Sequence, residues 1–297
     1  MPPRSQGEVQ RLHGGSDRPH TPLFDLSVVV PARNAEHMLD ACLASIVASN
    51  PREIIVVDGV STDRTLEIAR RYPVRILTDA GRGVSAARAL GTRTARCSLV
   101  ALVDADVVLP RGSLARLLHE FREGGYDALQ AGLRSVSGPG YWGQALAHHH
   151  RSGRSKGWFG LVATIFHREV LLEHGLDEHF LSGEDLELRW RLQRAGARIG
   201  VSRRTIVTHR FEDSYEFARG QWLADGHGSG LMLRKYGLRG AWLAAVPLAA
   251  ALRGVALSLA RRQPRWISYY VCFAAFNYVG MARELARGLR RSESTVE

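Results

Sequence analysis

Two aspartates one residue apart, Asp104 and Asp106, close the apolar run Leu99-Val100-Ala101-Leu102-Val103 and are the residues of this chain best placed to do chemistry. In an extended backbone, positions i and i+2 project to the same side, so both carboxylates can converge on one cation where a strand leaves its sheet. Carboxylate oxygens suit a hard divalent ion, and an ion held by few protein ligands keeps room for the oxygens of a phosphorylated substrate. A pair of this kind standing alone matches by chance, as two solvated loop aspartates. Its company is what gives it weight. Asp58 ends the run Glu53-Ile54-Ile55-Val56-Val57, the turn Pro31-Ala32-Arg33-Asn34 ends Leu26-Ser27-Val28-Val29-Val30, and Gly183-Glu184-Asp185 opens a Leu- and Arg-rich helix pattern.

The elements that would position these groups are legible from periodicity. Leu26–Pro31, Glu53–Asp58, Val74–Leu77 and Leu99–Val103 read as short strands buried on both faces. Between them, Leu39, Cys42, Leu43, Ile46 and Val47 share one helical stripe, a second helix passes through Leu66 and Ala69 after the capping residues Ser61-Thr62-Asp63, and a third covers Val84 to Arg96. Four strand-helix alternations with short connections imply a parallel sheet with right-handed crossovers, whose ligands bind beyond the carboxyl ends of the strands. Asp58, Asp104 and the Pro31–Asn34 turn all fall at such ends. Neither G-x-G-x-x-G after the first strand nor G-x-x-x-x-G-K is present, so a dinucleotide fold and a P-loop are not supported. After about residue 110 the pattern turns to mixed α+β. It has a helix at Leu114–Phe121, a strand at Tyr126–Ala131, a glycine-rich loop from Ser135 to Gly143, a strand within Trp158–Phe166, a helix at Leu186–Ala195, and short strands at Arg198–Val201 and Thr205–His209.

The chain has 297 residues, enough for one large α/β domain with an appendage. Its formal net charge of +11, mostly from arginine, points to a phosphate-rich substrate or an anionic membrane face. Zinc-finger spacing, an aromatic RNA-binding signature and lysine tracts are absent from the sequence, so no nucleic-acid partner is expected. Cys42, Cys97 and Cys272 stand far apart in apolar surroundings and read as buried thiols of a reducing compartment. Residues 1–24 carry Pro, Gly, Ser, Arg and His without periodicity and read as a flexible basic tail.

In their order along the chain, four motifs resemble those of family 2 glycosyltransferases of the GT-A fold. They are Val28-Val29-Val30-Pro31-Ala32-Arg33-Asn34, then Val56-Val57-Asp58-Gly59-Val60-Ser61-Thr62-Asp63, then Asp104-Ala105-Asp106, then Gly183-Glu184-Asp185 leading to Arg194-Ala195-Gly196. The resemblance spans roughly residues 25–235, and the ordered set is far more specific than any one member. It implies a Rossmann-like, mostly parallel sheet with a mixed α+β acceptor region, and inverting transfer of a sugar from a nucleoside-diphosphate donor, UDP-type favoured. Asp58 would accept from the base, with Pro31, Arg33 and Asn34 around base and ribose. Arg82 and Arg88, after the third strand, would approach the nucleotide. Asp104 would face ribose and metal, Asp106 would bind Mg2+ or Mn2+, and His209 would complete the metal's shell. Asp185 would be the base, raised toward neutrality by a neighbouring carboxylate, with Glu184 as its orienter. One departure is visible: many relatives carry Asp-Asp-Gly-Ser where this chain has Asp58-Gly59-Val60-Ser61, which puts a β-branched residue at the turn glycine. The three histidines His148-His149-His150 diverge around a helix and suit a polar surface or acceptor loop better than a metal site.

Beyond residue 236, Gly240–Leu259 and Trp266–Ala282 are two apolar runs flanked by Arg261, Arg262, Arg265, Arg283, Arg287, Arg290 and Arg291. The second is borderline for a bilayer span, and a pair of helices lying on an anionic membrane face fits the charge better, with a helical hairpin packed on the catalytic domain or on a second copy as the alternative. The organisation expected is therefore a basic tail at 1–24, a GT-A domain at 25–236 and C-terminal apolar helices at 237–297. The acceptor would be a glycan or a lipid-linked molecule, and the site of action the cytoplasmic side of the cell membrane or the cytoplasm. The competing functions are nucleotidyl transfer to a sugar phosphate, which lacks its glycine-rich basic loop here, and a membrane-attached scaffold without turnover.

Overall fold

The computed structural model describes residues 24–152, 158–180 and 182–293; most of the basic tail lies outside them. Eight strands form one sheet in the order β3-β2-β1-β4-β7-β6-β8-β5. The first four, β1 (Phe24–Ala32), β2 (Pro51–Asp58), β3 (Arg75–Thr78) and β4 (Leu99–Val103), are mutually parallel, as their alternation with helices requires. The helices between them are α1 (Leu39–Val47), α2 (Thr65–Ala69) and α3 (Val84–Thr94). Side-chain alternation explains why these strands read as unbroken apolar runs. Leu26, Val28 and Val30 of β1 face one core layer with Leu43 and Ile46 of α1, while Val29 faces a second layer with Ala87 of α3. Pro51 begins β2, a place its missing N–H permits.

The second half completes the sheet with β5 (Val107–Val108), β6 (Ala128–Ser137), β7 (Ala163–His167) and β8 (Ile199–Phe211). Here β7 runs antiparallel to β4 and β6, and β5 antiparallel to β8. The stretches Arg198–Val201 and Thr205–His209, which read as two short strands, belong to one 13-residue strand whose register against β6 shifts in passing. The expected loop at Ser135–Gly143 is instead the end of β6 followed by α5 (Tyr141–Ser152). Helices α4 (Ser113–Glu123), α6 (Arg168–His174) and α7 (Glu184–Arg194) cover the sheet.

The C-terminal helices are α8 (Tyr215–Tyr236), α9 (Val246–Ala260) and α10 (Ile267–Glu293), with 3-10 segments at Gly237–Ala245 and Pro264–Trp266. Together with α5 they enclose their own core of Leu146, Trp222, Trp266, Tyr269 and Tyr270, joined to the sheet through Phe211. His148 and His149 of α5 are part of this packing rather than of a polar surface. His148 stacks on Trp266, and His149 lies among Tyr269, Tyr270 and Phe273, where burial pushes its pKa down to about 4. The stretch Tyr215–Ala260 is apolar and long enough, by length and composition, to cross a bilayer, and only 28% of its most apolar window is buried. Its outer surface exposes Leu238, Trp242, Leu248, Leu252 and Leu259, and α10 adds Val271 and Val279.

Candidate active site

Along the carboxyl ends of the parallel strands runs an open cleft of about 530 Å³. Pro31, Arg33 and Asn34 after β1, Arg88 of α3, Asp104 and Asp106 after β4, Glu184 and Asp185 of α7 and His209 of β8 all line it. Residues separated by up to 178 positions in the chain thus meet because the sheet order places β4 beside β1 and the antiparallel pairing of β5 with β8 brings His209 to the tip of β4.

A neighbouring pocket of about 360 Å³ is lined by Pro31, Arg33, Val57, Gly59, Asp79 and Ala87. Asp58, expected to meet the base, lies between Val57 and Gly59 at the end of β2 but is nearly buried and lines neither this pocket nor the cleft. Its carboxylate accepts from the Ser61 amide at 3.3 and 3.2 Å, which folds the following turn back on it. That turn holds Val60 at φ 60°, the left-handed region a β-branched side chain resists. Asn34, also left-handed at φ 49°, ties this turn to the one after β1: its amide donates to Ser61 Oγ at 3.0 Å and its Oδ1 accepts from the Thr62 amide at 2.9 Å. Asp63 starts α2, accepting from the Thr65 amide and hydroxyl.

Asp104 and Asp106 behave differently despite their proximity. Asp104 Oδ1 accepts from Arg88 Nη2 at 2.6 Å. Asp106 Oδ2 is 3.1 Å from His209 Nε2, while its Oδ1 and the His209 Nδ1 are buried without a protein partner. Burial works most strongly on His209, against its charge, but the charge and hydrogen bond of Asp106 together with the Asp104 carboxylate outweigh it and raise the imidazole's pKa. Among the described residues no three His, Cys, Asp or Glu side chains are gathered into a ligand set of their own. An orphaned carboxylate oxygen beside an imidazole and a second carboxylate nevertheless fits a hard ion that takes the rest of its shell from substrate oxygens.

Asp185, in the first turn of α7, is pushed up to about 7 by burial and then by Glu184 beside it. Glu184 itself is buried and paired with Arg88. Arg88 is therefore no surface arginine. Arg82, by contrast, turns toward Asp79 O at 3.0 Å and Glu178 at 3.3 Å and lines neither pocket.

Several cleft residues carry little sequence signal. Asp79 is buried, and its carboxylate caps the amides of Gly81 and Gly83 at 2.8 and 2.9 Å; the position of Thr78-Asp79 at a strand's carboxyl end, like that of Asp58, would have found it. Gln221 and Asp225 of α8 and His150 of α5 also line the cleft, and burial pushes His150 down to about 3. Asp225 accepts from Ser182 Oγ at 2.8 Å, and Gly228 leaves room for α8 to lie directly on the Ser182 carbonyl, where any Cβ would collide. No local pattern in α8 could reveal this, because only its packing brings that face to the cleft.

A mostly parallel α/β sheet with an acidic strand tip and a helix-borne carboxylate in one cleft at its carboxyl edge is an arrangement of the GT-A fold class. The chain belongs to glycosyl transferase family 2, whose model matches residues 27–176, and is a glycosyltransferase. It is 31% identical over 181 residues to an uncharacterized glycosyltransferase of Mycobacterium tuberculosis, covering 59% of this chain and 81% of that one. It is 28% identical over 205 residues to the succinoglycan biosynthesis protein ExoA of Rhizobium meliloti, covering 61% and 62%. Among solved structures, the mannosyltransferase PcManGT from Pyrobaculum calidifontis, in complex with GDP-Man and Mn2+, superimposes with a TM-score of 0.61 at 20% identity over 88% of this chain and 87% of that one.

Proposed function

We propose that this enzyme moves a sugar, with inversion, from a nucleoside-diphosphate donor to a hydroxyl of a glycan or lipid-linked acceptor, as in cell-envelope polysaccharide or glycolipid synthesis. The observation that carries the reading is that Asp185, with a pKa near neutrality, opens onto the same cleft as Asp104 and Asp106. The naming of ExoA for succinoglycan biosynthesis and the GDP-Man and Mn2+ of PcManGT agree with it.

In this mechanism the base and ribose sit by the Pro31–Asn34 turn and the carboxyl end of β2 that carries Asp58, in the pocket lined by Pro31 and Arg33. A Mg2+ or Mn2+ ion held by Asp104 and Asp106, with His209 alongside, would supply positive charge against the departing diphosphate. Asp185 takes the proton of the acceptor hydroxyl as its oxygen bonds to the anomeric carbon from the face opposite the diphosphate. The bond from that carbon to the phosphate oxygen breaks, and its electron pair leaves with the diphosphate. One base and one displacement invert the centre. Leu146, Phe211 and Phe217 give the cleft an apolar wall.

The exposed apolar stripe that runs from the 3-10 segment Gly237–Ala245 along α9 is read as the surface that rests on an anionic bilayer. Trp242, Leu248, Leu252 and Leu259 supply apolar contact, and Arg239, Arg253, Arg261, Arg262 and Arg283, all exposed, supply charge complementary to acidic headgroups. The deciding experiment incubates the purified chain with UDP- and GDP-sugars, Mg2+ or Mn2+, and glycan or polyprenyl-linked acceptors. Release of nucleoside diphosphate matched by acceptor glycosylation supports the reading. Pyrophosphate release would replace it with nucleotidyl transfer, and no release with any donor would leave a scaffold.

A further inference from the structure

We propose that Arg88 is a positioning residue that couples the donor side of the cleft to its base side by holding Asp104 and Glu184 on one guanidinium fork. The inference rests on the reading of Asp185 as base, and it assigns Arg88 a place other than along the donor phosphates. Arg88 is 4% exposed. Its Nη2 donates to Asp104 Oδ1 at 2.6 Å and its Nη1 to Glu184 Oε1, while Nε has no partner. A guanidinium taken out of water is tolerated only with such compensation, and both of its terminal nitrogens are directed to protein carboxylates. The two carboxylates come from elements 80 residues apart, the end of β4 and the start of α7. The backbone prepares the reach: Gly91, one turn further along α3, lies against Val29 of β1 with no space for a Cβ, so the helix seats close enough for Arg88 to arrive at the strand tip.

The consequence falls on Asp185. Charged groups face it from three elements: Glu184 on α7 and Asp225 on α8 raise its pKa, and Arg88 on α3 lowers it. Without the fork, Glu184 would press on Asp185 unopposed and be free to swing, so both the base's titration and its aim would change. A lysine keeps the charge but, as a point donor on a flexible stem, does not bridge two carboxylates in fixed geometry.

The test compares Arg88→Gln and Arg88→Lys with the native enzyme. The acid limb of the kcat profile should move up by about one pH unit or more in Arg88→Gln and by less in Arg88→Lys, with kcat reduced in both and the donor KM within about threefold. In the metal-free protein, 13C-carboxyl NMR should show the Asp185 resonance, identified by its loss in Asp185→Asn, titrating higher by the same amount. This second readout needs no turnover. An enzyme that transfers no sugar defeats the transferase reading, whereas an unmoved Asp185 resonance defeats the role of Arg88. A donor KM raised about tenfold or more with an unmoved limb would make Arg88 a donor ligand and overturn the proposal. So would a lowered Tm with limb and resonance unchanged, which is what a merely structural ion pair gives. Should Arg88→Gln fail to fold, Arg88→Lys, which retains the buried charge, decides.

Discussion

Replacing Asp185 by asparagine removes the proposed base while keeping the side chain's shape, and the structure sets the size of two separate effects. The carboxyl is held near 7 instead of 3.8, a difference worth about 4 kcal/mol at about 1.4 kcal/mol per pH unit, less what solvent in the cleft screens. Because the folded state keeps this proton to a higher pH than the unfolded chain does, native stability declines as pH rises from about 4 through 7. The asparagine variant escapes that decline, so it should unfold at a higher temperature than the native enzyme at pH 8 and at nearly the same temperature at pH 4. Activity moves the other way. A base titrating near 7 is about nine-tenths ionised at pH 8 and about one-tenth at pH 6, so native kcat should climb across that interval and level off. Loss of a general base typically costs about 10²–10⁴-fold, or about 3–5 kcal/mol of barrier, and should leave donor binding nearly intact. Thermal unfolding at pH 4 and pH 8 reads the first effect, and nucleoside-diphosphate release followed from pH 5 to 9, with donor affinity from calorimetry, reads the second. A variant within about tenfold of the native kcat that retains the same acid limb would refute the assignment.

Three other outcomes are expected. Asp106→Ala deletes the carboxylate whose Oδ1 has no protein partner and should shift the half-saturating Mn2+ or Mg2+ concentration upward by about tenfold or more; an unchanged metal titration would remove Asp106 from the ion's shell. Val60→Gly relieves a left-handed β-branched residue, a strain of about 1–3 kcal/mol set against about 0.4–1 kcal/mol of added unfolded-chain entropy. The net gain of about 1 kcal/mol should raise Tm by about 2–4 °C, and a lower Tm in calorimetry would show that the turn is not strained. Trp242→Ser with Leu252→Ser, both changed on the exposed stripe, should weaken co-sedimentation with phosphatidylglycerol vesicles while leaving transfer to a soluble acceptor intact; equal sedimentation would reject the bilayer contact.

The doubly buried strands, the helices between them and the acidic strand ends were legible because each depends on local rules: a two-residue alternation, a 3.6-residue stripe, a carboxylate where a strand stops. That is why Asp58, Asp104 and Asp106 could be placed at one sheet edge from their runs alone. Motif order carried Glu184 and Asp185 to the same cleft. Tertiary structure alone decided how the pieces meet. It joined two apparent strands into β8, which delivers His209 to Asp106, and it packed His149 of α5 among the aromatic rings of α10. It turned Arg88 inward to two carboxylates while leaving Arg82 outside, and it laid α8 on the Ser182 turn so that Asp225 and Gln221 line the cleft. These outcomes depend on contacts between residues tens to hundreds of positions apart, where burial and charge pairing outweigh any preference that a short stretch of chain can express.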